Sequence, residues 1–571
     1  MKTENKNSAE RLAFFRALYE NARHSHSDAE LKLERHMRQY QGSHEIDGGS
    51  EEALTVRNIT YEIIESQVSS DIPMPKADPD SYSEKRDRQA SVIEALCRSL
   101  RDKLPFEEMN DLDERYTYIY GGSIWLVEWD CEQAQGDGKG GVRISVISPR
   151  NFFPQPNIFN IDDMEYCFLR FTTTRGELKS RYGISDEMSH LAELEEECGL
   201  FDGGDTATVI LCFYRDEDSD IGKFVFSGEL TLLDIEKYYK RKTKVCKKCG
   251  LSEGLCTCEG GGKFEMKDVD YEYIVSDNGN DYIKVPYYTP RRFPIVIRKN
   301  TSLECSLLGQ SDCEYIRPEQ QAINKVESRI LKKLLRAAVT PIVPEDATVT
   351  LNSTVFGQVI RMKPGESMAQ YGKVDTTPDI SQDIAEAERL YDHSKRILGI
   401  SDAYQGIDNF AGESGYARQL RISQASGRLE SKKKMKHTAY AALDRIIFEH
   451  YLAFADEVRT LSYKDSFGRI HDQYFNRRDF IICDGASGKF RYDDGYLFSV
   501  DLNGGSGYQR EALWEKNLEN LKAGTLGDPT NPATLLRYWQ SQERAHYPHA
   551  RENVEYFKDL MKGGDTLAYE A

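Results

Sequence analysis

Residues 309–332 read GQSDCEYIRPEQQAINKVESRILK, and residues 399–432 read GISDAYQGIDNFAGESGYARQLRISQASGRLESK. The path between these two stretches decides the fold. In the first, Pro318 stands where a helix can begin, because a first-turn proline has no N–H to lose. Ile323, Val326, Ile330, Leu334 and Ala337 follow at three-to-four spacing, one helical stripe that Pro341 and Pro344 end. Residues 342–376, IVPEDATVTLNSTVFGQVIRMKPGESMAQYGKVDT, are strand-and-turn material. A second helix is predicted from Thr377 as N-cap, with Pro378 in its first position and Asp379 beside the positive end of the dipole. Its stripe is Ile384, Ala387, Tyr391, Ser394 and Leu398, and Gly399 closes it. Two helices of similar length therefore flank a small β insert, an outgoing leg and a returning one. A glycine-rich loop follows at 401–415. Residues 416–460 then hold no proline and a single glycine, Gly427, which predicts the longest helix of the chain. It would span about 65 Å at 1.5 Å per residue, kinked at Gly427.

Outward from this centre the texture changes. Residues 8–40 alternate charge with Leu12, Phe15, Leu18, Leu31 and Leu33 and read as two polar helices. Residues 57–70 carry the stripe Ile59, Ile63, Ile64 and Val68, stopped by Asp71-Ile72-Pro73-Met74-Pro75, and residues 91–118 read as helix again. Strands are predicted at 124–129 and 142–147 around the turn GDGKGG (136–141), then at 166–173 and 206–214. Strands return from 461 to 502, and three short helices are predicted from Tyr508 onward. The predicted fold class is α+β.

The length of 571 residues predicts three or four structural units. Mean hydropathy is −0.62, and no run approaches eighteen apolar residues, which excludes a membrane-spanning helix on sequence grounds. The start, MKTENK, carries no apolar signal segment, so export is not expected and reduced thiols are. The net charge of −19 lacks the chain-level basic patch of a site-specific DNA binder. It suits a surface past which DNA slides, and it suits plain solubility equally well.

Eight of the twelve cysteines are scattered; the other four, Cys246, Cys249, Cys256 and Cys258, fall within thirteen residues. Thiolates at C-x2-C spacing chelate one metal from a tight turn, and a second pair seven residues on can complete a tetrahedral zinc site. The polar flanks offer little core, so the metal would supply the folding energy, and four thiolates leave no open position for catalysis. A reduced cysteine-rich loop is the alternative. No catalytic motif is present: GDGKGG lacks the gap and ending of a phosphate loop, and neither H-E-x-x-H nor G-x-S-x-G occurs. The reading is therefore not an enzyme. The acidic runs 193–197 and 216–220 read as exposed faces, and His24 and His26 as solvated. Lys432, Lys433 and Lys434 with Lys436 and His437 form the dense basic cluster of the long helix, read as a solvated face, as inter-subunit salt bridges, or as transient phosphate contacts.

The order of elements resembles that of the portal proteins of long-tailed double-stranded DNA bacteriophages, over nearly the whole chain. Five segments carry the resemblance: VRNITYEIIESQVSSDIPMPK (56–76), YGGSIWLVEWD (120–130), SPRNFFPQP (148–156) and the two stretches quoted first. The resemblance implies a wing over 1–310 with a cysteine-rich loop at 240–265, a first stem helix at 311–340, a clip at 341–376 and a second stem helix at 377–400. It further implies a tunnel loop at 401–415, a tunnel helix at 416–460, a return to the wing at 461–507 and a crown at 508–571. As function it implies a twelve-subunit ring at one capsid vertex of the virion, assembled in the host cytoplasm. DNA would be packaged and ejected through it; the ring would dock the large terminase subunit and later a head-completion adaptor, with scaffold or major capsid protein around it.

In that frame the loop residues Asp402, Asp408, Gly412, Glu413 and Gly415 would meet passing DNA at the constriction. Carboxylates there would repel phosphate, while Arg418 and Arg421 would offer brief contacts; the alternative is an ordinary helix–helix connector. A rival from another class is a zinc-ribbon nucleic-acid-binding enzyme or adaptor, suggested by Arg241, Lys242, Lys244, Lys247 and Lys248 beside the cysteines. The mass of the assembly separates the two.

Overall fold

The structure is a computed structural model. It describes residues 8–43, 55–81, 83–135, 138–184, 206–248, 258, 264–275, 282–336, 339–342, 372–375, 379–400, 427–464, 470–483, 488–501 and 507–544, with isolated residues between 547 and 560. The architecture is mixed α+β.

The chain opens with one helix, α1 (Ser8–Gln41), where two were expected. No glycine or proline interrupts it, and its two halves bury different stripes against different partners. Phe15, Tyr19 and Ala22 sit on a β-sheet, and Leu33 packs with Met37 and Tyr40 among helices. Helix α2 (Ile59–Glu65) is capped by Asn58, whose side chain accepts the Tyr61 N–H at 3.0 Å. The helical stretch expected at 91–118 is two helices, α3 (Glu84–Lys103) and α4 (Phe106–Tyr120). Pro105 separates them, since it cannot carry a helical hydrogen bond onward.

Two sheets make the body. One has five antiparallel strands in meander order: Phe152–Pro154, Tyr166–Thr174, Thr206–Arg215, Ile221–Ser227 and Leu230–Ile235. Strand Thr206–Arg215 is buried on both faces. Val209, Leu211 and Phe213 enter one core; Ile210, Cys212 and Tyr214 meet α1, where Phe15 stacks on Phe224 at 4.4 Å between centroids. Helix α5 (Arg175–Tyr182) follows the second strand. The other sheet has three strands, with Gly122–Gln135 between Ile295–Lys299 and Gly138–Ile147. The hairpin expected around GDGKGG is present, its last pair being Gln135 with Gly138.

From this body α6 (Asp312–Arg336) leads to strand Val339–Ile342, which pairs antiparallel with Gly372–Asp375, and α7 (Ser381–Leu398) returns. Helix α6 starts six residues before Pro318, which lies inside it. The early start holds because Asp312, Cys313 and Ile316 are fully buried, so packing offsets the missing proline N–H. Helix α7 starts after the expected Thr377: Asp379 accepts the Ser381 N–H at 2.9 Å. Gly399 closes it in the left-handed conformation, φ 76°.

The long helix, α8, is described over Gly427–Phe454. It ends six residues before 460 because strand Arg459–Lys464 begins there. The kink expected at Gly427 lies at the edge of the described residues. Strands Arg459–Lys464 with Ile470–Phe475, Ile481–Cys483 with Phe490–Tyr492, and Tyr496–Asp501 then enter the core of α3, α8 and the three-stranded sheet. Tyr496–Asp501 pairs with Met74–Pro79, joining Met74 to Asp501 across most of the chain. Among the described residues two tail helices follow, α9 (Gly507–Lys522) and α10 (Pro532–Arg544); the residues where a third was expected are described only in isolation. Among the described residues no helix is long and apolar enough to cross a membrane.

Candidate functional site

Helices α6 and α7 close on each other through Val326, Ile330 and Ala387, with Ile380 and Leu390 beside them. Asp383 of α7 receives Arg329 at 2.7 Å and Lys333 at 2.5 Å. The stripe Ile323, Val326 and Ile330 is thus buried within the chain, while Leu334 and Ile384 stay exposed. At its root the hairpin is tied to α2: Arg57 meets Glu388 at 3.0 Å, and Ile63 packs with Ile316, Leu398 and Ile400.

Helix α8 meets the body through an unexpectedly polar face. Lys432, Lys436, Tyr440 and Asp444 recur every fourth residue, and all are buried. Lys432 Nζ donates to Asp312 Oδ2 at 2.6 Å and to Gln67 Oε1 at 3.0 Å. Asp312, the first residue of α6, also accepts from Gln67 Nε2 at 2.9 Å and Asn300 Nδ2 at 2.8 Å. Lys436 Nζ lies 3.0 Å from Glu114 Oε1 and donates to the Asp71 carbonyl at 2.6 Å. The Tyr440 hydroxyl donates to Asn110 at 2.8 Å, and Arg101 donates twice to Asp444, both at 2.7 Å.

Beside this face Arg298, on the three-stranded sheet, bridges Asp113 at 2.5 Å and Glu114 at 2.7 Å. Trp125 Nε1 donates to Asp113 at 2.8 Å. Three carboxylates (Asp113, Glu114, Asp312) therefore face three cations (Arg298, Lys432, Lys436), so the buried cluster is balanced. Burial alone would raise the Glu114 carboxyl, but Arg298 and Lys436 outweigh it and hold it below the ordinary range. Burial lowers the Lys436 ammonium, against the pull of Glu114. Burial likewise raises Asp444, opposed by Arg101.

The basic cluster therefore divides. Lys433 and Lys434 are exposed, Lys434 with Glu430 at 3.2 Å. Lys432 departs from the expected solvated face and phosphate contact: its buried ammonium forms a salt bridge within the chain, to Asp312, rather than facing solvent. Asp402, Asp408, Gly412, Glu413, Gly415, Arg418 and Arg421 lie outside the described residues.

Of the four cysteines, Cys246 ends a described strand. Strand Arg241–Cys246 pairs with Phe264–Val269, and Cys246, buried, stands opposite Phe264 in the last pair before the connection. Cys258 is half-buried, and Cys249 and Cys256 lie outside the described residues. Among the described residues no three His, Cys, Asp or Glu side chains gather as metal ligands. Of the basic residues here, Lys247 pairs with Glu265 at 2.9 Å and Arg241 donates to the Ala453 carbonyl at 2.6 Å.

The acidic run 216–220 is not simply solvated: Lys237 Nζ lies 3.0 Å from Asp220, 3.6 Å from Asp218 and 3.8 Å from Asp216. His26 is half-buried beside Phe153, and burial lowers its pKa. It lines a cleft of about 290 Å³ beneath α1 together with His36, Phe152, Phe159 and Leu307.

No protein-family model matches the chain, and no curated protein matches it.

Proposed function

We propose that the chain is a subunit of a bacteriophage portal ring, the channel for packaging and ejecting DNA at the capsid vertex. The observation that carries the reading is the antiparallel hairpin α6–α7, tipped by paired strands and followed by a long helix that leads back into the core of the α+β body. That order, with the five family-like segments, is the order of portal proteins. On this reading the protein belongs to the virion and is assembled in the host cytoplasm. It docks the large terminase subunit, a head-completion adaptor and scaffold or major capsid protein, and it carries out no catalysis. Ring closure would be heterologous and cyclic, each subunit offering two different faces to its neighbours.

We further propose one structural zinc per chain, held by Cys246, Cys249, Cys256 and Cys258. What supports it is the spacing, together with the position of Cys246 at the end of a two-stranded hairpin, a small element that a metal would stabilise.

Light scattering and negative-stain imaging of the purified protein test the ring. Closed rings are expected, and a ring one subunit larger or smaller than twelve still supports the reading. A compact monomer at micromolar concentration refutes it; a small oligomer whose DNA binding needs the cysteine hairpin favours the zinc-ribbon rival.

A further inference from the structure

The buried polar face of α8 carries an inference that does not rest on the ring. At a rise of about 1.5 Å per residue, Lys432 to Asp444 covers roughly 18 Å. Its partners come from separate parts of the chain: Asp312 opens α6, Gln67 follows α2, Glu114 and Asn110 lie on α4, and Arg101 lies on α3. Towards its C-terminus the same helix is held differently, by Leu443, Ile447, Phe448 and Leu452 in an apolar core.

The two kinds of seating behave differently under displacement. Apolar side chains trade neighbours with a graded loss as a helix shifts. A buried ammonium–carboxylate contact resists displacement steeply, because moving one partner strands both charges away from water. Asp312 concentrates this effect. It is the first residue of α6, fully buried, and it holds Lys432, Gln67 and Asn300 together. The next rung, Lys436 on Glu114, shares its carboxylate oxygen with Arg298, which also bridges Asp113.

We propose that Lys432 forms a latch joining the N-terminal half of α8 to Asp312 at the root of the α6–α7 hairpin, while Lys436 holds the same face of α8 to α4, so that displacement of the hairpin root is transmitted to α8. Lys432 is thus a positioning residue. Displacement of the hairpin root is felt in the described N-terminal half of α8, and the apolar C-terminal half stays anchored in the body.

Hydrogen exchange of the full-length protein tests this with a lesion placed in the hairpin. Ile330→Ala loosens α6 against α7 well away from Asp312. In the otherwise unaltered protein it should speed exchange of the amides of residues 433–440 at least threefold while leaving 445–452 unchanged. The same lesion combined with Asp312→Asn and Lys432→Met, which removes the latch without stranding a charge, should leave 433–440 no faster than in the Asp312→Asn, Lys432→Met protein. An equal response in both backgrounds overturns the latch. So does the absence of any response to Ile330→Ala alone, a result that needs no latch variant to fold.

Discussion

Replacing Arg298 by methionine keeps the length and apolar stem of the side chain and deletes its charge. The guanidinium is 1% exposed and bridges two carboxylates that are equally buried. Breaking a buried pair from one side costs about 3–5 kcal/mol, because the remaining charge is left uncompensated. Here Trp125 still donates to Asp113 and Lys436 still faces Glu114, which places the expected loss near the lower end, about 3 kcal/mol. In urea that corresponds to a midpoint lower by about 1 M.

Acid adds a second readout. Glu114 is held low in the folded protein, so its contribution is intact above the unfolded value and is lost only as pH falls through the folded one. Between pH 7 and 5 the parent protein therefore gains and loses nothing from it. In the variant the uncompensated carboxylate pair takes up a proton on folding, so the variant should gain stability as pH falls from 7 to 5 and the deficit should narrow. Urea unfolding followed by tryptophan fluorescence at both pH values measures this. A loss below about 1 kcal/mol, the range of exposed pairs, or a deficit that does not change with pH refutes the reasoning.

Gly121 ends α4 at φ 91°, and an added Cβ would lie 2.3 Å from the Gly309 carbonyl oxygen. Gly121→Ala should therefore lower the melting temperature by several degrees or abolish soluble expression, as read by thermal scanning. Elemental analysis after dialysis should find about one zinc per chain, and Cys246→Ser with Cys249→Ser should lose it; metal retained by that variant sinks the site. Gly412→Trp and Gly415→Pro should leave rings intact by electron microscopy while blocking DNA packaging in vitro, and normal packaging by both removes the loop from the constriction. His450 is fully enclosed, and burial lowers its pKa to about 4. Below pH 6.5 the unfolded chain binds a proton that the folded chain refuses, so roughly 3 kcal/mol should be lost by pH 4, and His450→Gln should flatten that part of the pH profile.

Much of the local structure was legible. The hairpin around GDGKGG, the strands at 166–173 and 206–214, the stop at Gly399 and the helix–strand–helix order of 312–398 follow from period and punctuation, which act within a few residues. Boundaries read from proline were less secure. Pro318 looked like a helix start, yet α6 begins at Asp312, because burial of Cys313 and Ile316 outweighs one missing N–H. Residues 8–40 read as two polar helices, yet they form one unbroken helix whose two halves pack on different partners.

The candidate site was less legible still. A lysine run on a helix looks the same whether it faces solvent or carboxylates, and the one available signal was the four-residue spacing of Lys432, Lys436, Tyr440 and Asp444. Composition and periodicity are properties of the chain alone, and they were enough for an α+β chain with an outgoing and a returning helix. Which charges are buried depends on residues far apart in sequence, Lys432 with Asp312 and Gln67, Arg298 with Asp113 and Glu114. Those partners meet where α8 lies against the three-stranded sheet and the helices around it. An ammonium group acquires its role from the dielectric and the counter-charge around it, and neither exists until the tertiary structure has formed.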